Sequence, residues 1–263
     1  MERYYDDDDD PSFGSESSDD DSSSDEESSS SMIHDPFGLE GGSDDSSSDG
    51  ESSSSEEDAE MDLFRNEWQR IKDNDPNMKI IEIYGDGEER IDNVTNDEWE
   101  QFGHDVANNT HLKDLCLSDG TLNNQKMTSL FRGLTGSNSI EEVHLTDNRL
   151  GVEGVRSMVP FLQNASNLKI LSVIGNDIGS DGFKLLMRVL SDSPIEFLHC
   201  NNCDIETIEI DGGHIPKNLK ELWLNRNRIN ADGCRELAKL LLGADSTLTT
   251  LALSDSRIDD EGV

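Results

Sequence analysis

The sequence predicts an α/β solenoid, with parallel strands on a concave face, helices on a convex face and a disordered acidic tail before them. Three observations carry this. One pattern recurs from Met78 onward, with copies starting at Met78, Leu112, Ile140, Leu168, Ile195, Leu219 and Leu248, at intervals of 34, 28, 28, 27, 24 and 29 residues. Each copy opens with strand-like spacing, and most continue with helix-like spacing. Residues 1–60 are almost entirely Asp, Glu, Ser and Gly.

The pattern is clearest in the stretch Leu168-Lys-Ile-Leu171-Ser-Val173-Ile-Gly-Asn176-Asp-Ile178, which restarts as Ile195-Glu-Phe-Leu198-His-Cys200-Asn-Asn-Cys203-Asp-Ile205. Apolar residues occupy positions 1, 4, 6 and 11, with Asn or Cys at position 9. Positions 4 and 6 share one side of a strand, because alternate residues face the same way. Leu222 and Leu224 therefore point inward, and Trp223 between them points out. Beyond the strand, Leu150, Gly154, Met158 and Leu162 fall four apart, as do Ile178, Gly182, Leu186 and Leu190, and Ile229, Gly233, Leu237 and Leu241. That spacing puts each set on one helical stripe. Repeats of this length with this pattern resemble the leucine-rich repeat, in its ribonuclease-inhibitor-like subclass. The resemblance covers residues 78–263. It implies strands lining a concave face and helices on the convex one, and it is nearly silent about activity.

The chain carries 58 acidic and 21 basic residues, a formal charge of −37. Residues 1–62 hold 24 of the acids and one base, Arg3. Such a tail repels nucleic-acid backbone and anionic membrane, so neither is an expected partner. No apolar run is long enough to span a bilayer. The start, Met-Glu-Arg-Tyr-Tyr followed by five Asp, lacks the basic and apolar regions of a signal peptide. A cytoplasmic or nuclear location is the default expectation. The four cysteines, Cys116, Cys200, Cys203 and Cys234, fit a reducing compartment. Cys200-x-x-Cys203 has half the spacing of a zinc site, but no second pair exists. Both cysteines fall on structural positions of the repeat, so no metal or other cofactor is expected.

The tail, 1–60, has few apolar groups and high like charge, so nothing offsets its chain entropy. It contains an imperfect duplication. Asp10-Pro11-Ser12-Phe13-Gly14 and Asp35-Pro36-Phe37-Gly38 each precede an acidic serine run. Ser17, Ser22, Ser23, Ser24, Ser46, Ser48, Ser53, Ser54 and Ser55 each have an acid three residues later. This looks like substrate for an acidophilic kinase of the casein kinase 2 type, and each phosphate would add negative charge. The alternative is a purely solubilising tail. Asp35-Pro36-Phe37 also resembles short motifs bound by endocytic adaptor domains.

At 61–77 the composition changes. Leu63, Phe64, Trp68 and Ile71 form a stripe at helical spacing, with Pro76 ending the element. A solenoid exposes its apolar end unless capped, so 61–75 reads as the cap helix. A partner-binding amphipathic helix is the other reading. The first repeat is irregular, with Asp86 and Gly87-Glu-Glu-Arg90 in place of the Asn turn, then a helix carrying Trp99, Phe102 and Val106. Gly120 stands where the second repeat should have Asn, which puts that turn in doubt. Asn148, Asn176 and Asn227 are expected to bond backbone of neighbouring turns. The copy starting at Ile195 has no helical signature, so Ile205, Ile208 and Ile210 should run extended. The chain stops within a repeat, so the array is expected to be incomplete at its C-terminal end.

No catalytic constellation emerges, so the chain is not expected to be an enzyme. There is no glycine-rich phosphate loop and no His-Glu-x-x-His, and the six histidines pair with no nucleophile at a recognisable spacing. The outward-facing strand residues are the better candidates. Ile170, Ile174, Phe197, His199 and Trp223 come from adjacent strands about 5 Å apart and should form one apolar, aromatic patch. His144 and Asn225 flank it. This points to an interaction scaffold binding a protein partner in its hollow. Two alternatives come from other classes. Ran-type GTPase-activating proteins share the repeat subclass, but their acidic segment follows the repeats; Arg90 is the nearest counterpart of their turn arginine, in surroundings that do not match well. Acidic leucine-rich chaperones of histones also carry their tail C-terminally, on shorter repeats.

Overall fold

The computed structural model of the chain describes residues 53–85, 91, 93–120, 122–210, 215–243, 246–256 and 258, with backbone alone for 53–62. The serines at 17–48, Arg90 and the expected disorder of the tail all lie outside the described residues, as does the chain beyond 258. Among the described residues are seven strands: β1 Ile80–Tyr84, β2 Asp114–Ser118, β3 Glu142–His144, β4 Ile170–Ser172, β5 Phe197–His199, β6 Glu221–Trp223 and β7 Thr250–Ala252. They form one sheet in chain order, and every neighbouring pair is parallel. Parallel neighbours need a crossover that returns the chain to the same edge, and here the convex side supplies it. The helices are α1 Ser53–Lys72, α2 Asn96–Asn108, α3 Asn124–Leu134, α4 Val152–Asn164, α5 Gly179–Val189 and α6 Ala231–Leu242. Between β5 and β6 there is no helix among the described residues: 204–210 run without one, with Ile205 and Ile208 buried.

The register follows the pattern. Leu115, Val143, Leu171, Leu198 and Leu222 pair with one another across the sheet and are fully buried. Each then meets a buried stripe from the convex side. Burying a side chain of this size contributes about 1.5–3 kcal/mol, so five such rungs dominate the sheet's stability. The second position of the repeats from Leu112 to Leu219 carries a different device. Lys113 reaches Glu141 at 3.1 Å, Lys169 reaches the same Glu141 at 2.8 Å, and Lys220 reaches Glu196 at 2.6 Å. These exposed pairs add little energy but favour the observed register over a slipped one.

The ninth position holds the turns together. The Asn176 oxygen accepts from the backbone N–H of Asn148 and of Leu150, both at 3.0 Å. Its amide nitrogen donates to the carbonyls of Leu145, Val173 and Ile174 at 2.6, 2.9 and 3.1 Å. Asn148 serves Leu122 and Leu117 in the same way, and Asn227 serves Cys203, Ile205 and Cys200. Cys203 replaces Asn with a weaker bond, Sγ to the Val173 carbonyl at 3.2 Å, and Ser256 donates to Leu224 at 2.9 Å. One side chain thus joins two repeats through groups that water cannot reach.

Just before it, the eighth position is left-handed in the six repeats from Leu112 on: Asp119, Asp147, Gly175, Asn202, Arg226 and Asp255 have φ of 61, 54, 70, 53, 58 and 56°. Gly, Asn and Asp tolerate this region, whereas Arg226 sits there at a cost. In the second repeat Gly120 also has positive φ, and its N–H donates to the Asp147 carbonyl. The turn that lacked its Asn therefore forms through backbone.

Several boundaries differ from the sequence expectation. The first helix starts at Ser53 rather than 61 and ends at Lys72, before Pro76 acts. The stop is Asn74, at φ 51°: its N–H bonds Ile71 and the Asp75 N–H bonds Arg70, which closes the last turn. Phe64, Trp68 and Ile71 are buried, but Leu63 is 62% exposed because the inward stripe passes it by. Phe64, Trp68, Trp99 and Phe102 form one aromatic cluster with ring centroids 5.5–5.9 Å apart. In α6 the stripe continues through Leu240 and leaves Leu241 45% exposed, since a true helical period drifts from four toward three. A contact invisible in the sequence is the crossing of α2 and α3. A Cβ on Gly133 would lie 2.2 Å from the Glu100 carbonyl oxygen, and one on Gly103 2.3 Å from that of Leu130.

Asn176→Ala orphans several buried backbone groups, so urea unfolding should show a loss of about 2–4 kcal/mol. Arg226→Gly should move the other way, raising the urea midpoint by the equivalent of about 0.5–1 kcal/mol through relief of the left-handed backbone.

The concave face as candidate functional site

Strand alternation sets three water-facing rows across the hollow. One row runs Ile80, Asp114, Glu142, Ile170, Phe197, Glu221, Thr250; the next runs Glu82, Cys116, His144, Ser172, His199, Trp223, Ala252. The third follows two residues further on and includes Tyr84, Ser118, Ile174, Asn201 and Asn225. Ser118 and Ser172 belong to these rows yet are buried, because small side chains are shielded by larger neighbours. Ile170, Ile174, Phe197, His199, Trp223, Asn225 and His144 are all half-buried.

The structure divides them into two neighbourhoods. In the first, Ile170 pairs with Phe197 and His199 with Trp223. The His199 and Trp223 rings stack, with centroids 4.2 Å apart and planes 19° from parallel. Trp223 Nε1 donates to Glu221 at 3.1 Å, which fixes the indole. His199 Nε2 is shielded and has no hydrogen-bond partner among the described residues. Burial pushes the His199 pKa down, with His144 adding to the effect and Glu221 opposing it. A neutral imidazole flat against indole presents an apolar face. Asn225 is partly committed to structure: its N–H takes the Asn201 oxygen, and its own oxygen accepts from Ser254 N–H at 2.7 Å.

His144 belongs to the second neighbourhood. Its Nε2 lies 3.4 Å from Glu142 Oε2 and 3.7 Å from Asp114 Oδ1. Burial raises the Asp114 pKa; His144 opposes this, and Glu142 and Glu82 reinforce it. Beside them, burial pushes the Tyr84 hydroxyl up to about 12 and raises the Cys116 thiol, so neither ionises near neutrality. The hollow therefore has an acidic half on β1–β3 and an aromatic half on β4–β6. The sequence registers found the second. They missed the first because Asp114 and His144 belong to different repeats and occupy different positions in them, so only the pairing of β2 with β3 brings them together.

Cys200 and Cys203 are buried and free. Burial holds both thiols protonated, Cys203 up to about 12, so they act as packing groups and a repeat cap. Ser53, Ser54 and Ser55 fall within α1. No helix among the described residues is long and apolar enough to cross a membrane.

The leucine-rich-repeat profile matches residues 136–159, 216–238 and 244–263. This agrees with the one-strand-per-repeat sheet and its ninth-position ladder. The chain is built of leucine-rich repeats, similar to those of ribonuclease inhibitor. Pig (Sus scrofa) ribonuclease inhibitor is 29% identical over 187 residues, covering 57% of this chain and 41% of the relative. Mouse (Mus musculus) NACHT, LRR and PYD domains-containing protein 3 is 27% identical over 170 residues, covering 60% of this chain and 15% of that protein. The repeat chain thus spans less than half the length of these relatives. Among solved structures, leiomodin-1 actin-binding site 2 aligns with a TM-score of 0.45 at 18% identity, covering 52% of this chain and 78% of that one. Leucine-rich-repeat proteins typically act through protein–protein contact.

The depressed His199 pKa gives a stability signature. The folded chain keeps His199 neutral where the unfolded chain, with a value near 6.5, takes up a proton. The stability tied to this group is therefore present above about pH 6.5 and lost as pH falls below it. His144 and Glu221 face His199 and are present in both proteins, so the difference isolates His199. Urea midpoints compared between about pH 7 and pH 5.5 should fall more in the wild type than in His199→Gln.

Proposed function

We propose that this chain is a binding scaffold for a protein partner, held on the concave face by the aromatic half of the hollow. The supporting observation is the His199–Trp223 stack continuing into Phe197 and Ile170, a contiguous and partly water-exposed apolar surface set in a rigid parallel sheet. Soluble proteins seldom leave such a surface open without use, and Trp is a favoured binding anchor. Rigidity adds to this, since residues fixed by hydrogen-bonded strands lose little entropy on binding. Ribonuclease inhibitor is by name a protein that acts on another protein, which agrees with the same use of the fold. Trp223 and Phe197 are the proposed anchors, with Ile170, Ile174 and His199 around them and Asn225 at the edge. The action of an acidophilic kinase on the serine runs, and a cytoplasmic or nuclear setting, belong to the same proposal and rest on the sequence alone. GTPase activation and histone chaperoning rest on Arg90 and the tail, outside the described residues, and no described feature favours them.

Affinity purification with the whole chain provides the partner and the test. Trp223→Ala should weaken recovery by the equivalent of about 2 kcal/mol or more while the chain stays folded by circular dichroism. An unchanged set of recovered proteins with both Trp223→Ala and Phe197→Ala would remove the aromatic half from the interface.

A further inference from the structure

We propose that Asp114, Glu142 and His144 form a binding site for one divalent transition-metal ion in the acidic half of the hollow. The parallel register of β2 and β3 places Asp114 beside Glu142 and Cys116 beside His144. One oxygen from each carboxylate and one ring nitrogen of His144 all lie within 4.8 Å of one another. His144 Nε2 is already 3.4 Å from Glu142 Oε2 and 3.7 Å from Asp114 Oδ1. Metal–oxygen and metal–nitrogen bonds near ~2.1 Å hold neighbouring ligand atoms roughly 3–3.5 Å apart, so small side-chain rotations suffice.

A second observation concerns Asp114 itself. Its Oδ1 is shielded from water and accepts no hydrogen bond from the described residues. The 3.7 Å approach of His144 is too long to be one. A shielded carboxylate oxygen without a donor is costly, and like charges on facing strand residues add to the cost. Glu82 on the neighbouring strand contributes more negative charge. A bound cation relieves all three groups at once, whereas His144 comes within hydrogen-bond distance of Glu142 alone. Burial of Asp114 is consistent with this, since it favours a neutralised site.

The donor set selects the ion. Two carboxylates with one imidazole suit zinc, manganese or iron(II), and magnesium and calcium prefer oxygen alone. The three ligands sit on adjacent strands and open onto the hollow, so the remaining positions face water. The competing explanation is a simple ion pair in which protonated His144 bridges two acids. The site is separate from the aromatic patch and stands whether or not that patch binds a partner.

The test is calorimetric titration of Zn2+ into the full chain after chelator treatment. We expect one equivalent that binds more tightly than the remaining carboxylates. Losing a ligand should cost at least the ~10–100-fold seen for supporting residues, so His144→Ala and Glu142→Gln should each weaken it that far. His34→Ala, in the tail, should leave it unchanged. In the wild-type chain, sub-stoichiometric Mn2+ should broaden the amide resonances of residues 113–117 and 141–145 before others, a readout that needs no variant. Wild-type Zn2+ affinity in His144→Ala and Glu142→Gln, equal competition by Mg2+, or Mn2+ broadening that spares these residues would each overturn the assignment.

Discussion

The fold depends on satisfying backbone that the turns bury. Each repeat reverses direction between its strand and its convex segment, and the reversal hides N–H and C=O groups with no ladder partner. The ninth-position side chain supplies what is missing. Asn176 does so with an oxygen that accepts twice and a nitrogen that donates to three carbonyls, spanning two repeats. No apolar residue could occupy this place, because the cost of orphaned buried groups would exceed what its burial returns. Cys203 and Ser256 show the minimum requirement: one donor of the right reach.

That constraint also creates the candidate surface. Once the turns are locked, the register of neighbouring strands is fixed, and with it the rows that face the hollow. Hollow-facing residues are then free to vary in chemistry, because the strands are held by the rungs beneath them. The acidic half on β1–β3 and the aromatic half on β4–β6 differ only in these outward side chains. Their separation is electrostatic as well as spatial: burial beside negative neighbours raises Asp114, and burial against indole lowers His199. Both shifts favour neutral forms, which is what a poorly hydrated hollow imposes on any ionisable group it holds.

Much of this was legible in the chain. Positions 4 and 6 gave the inward rungs, and Trp223 is half-exposed between buried Leu222 and Leu224, as alternation requires. The absence of helix after β5 was equally readable, because Ile205, Ile208 and Ile210 lack helical spacing. Helix ends were less so. Asn74 stops the first helix by a left-handed turn, and its sequence signal was overshadowed by Pro76. Leu241 falls on the inward stripe when residues are counted in fours, whereas a real helix turns every 3.6 residues; Leu63, next to Phe64 at the edge of its stripe, faces water. The left-handed eighth position was hidden because Asp, Gly, Asn and Arg all occupy it.

By itself the sequence determined the repeat, its inward rungs, its turn amides and the aromatic row, because each follows from spacing within about a dozen residues. Only the tertiary structure decided which residues meet between repeats. Asp114 and His144 lie on different strands and at different positions of their repeats, and Gly103 touches α3 through backbone rather than side chain. Such meetings depend on how one repeat stacks on the next, a distance set by buried turn amides and helix crossings that no single segment encodes.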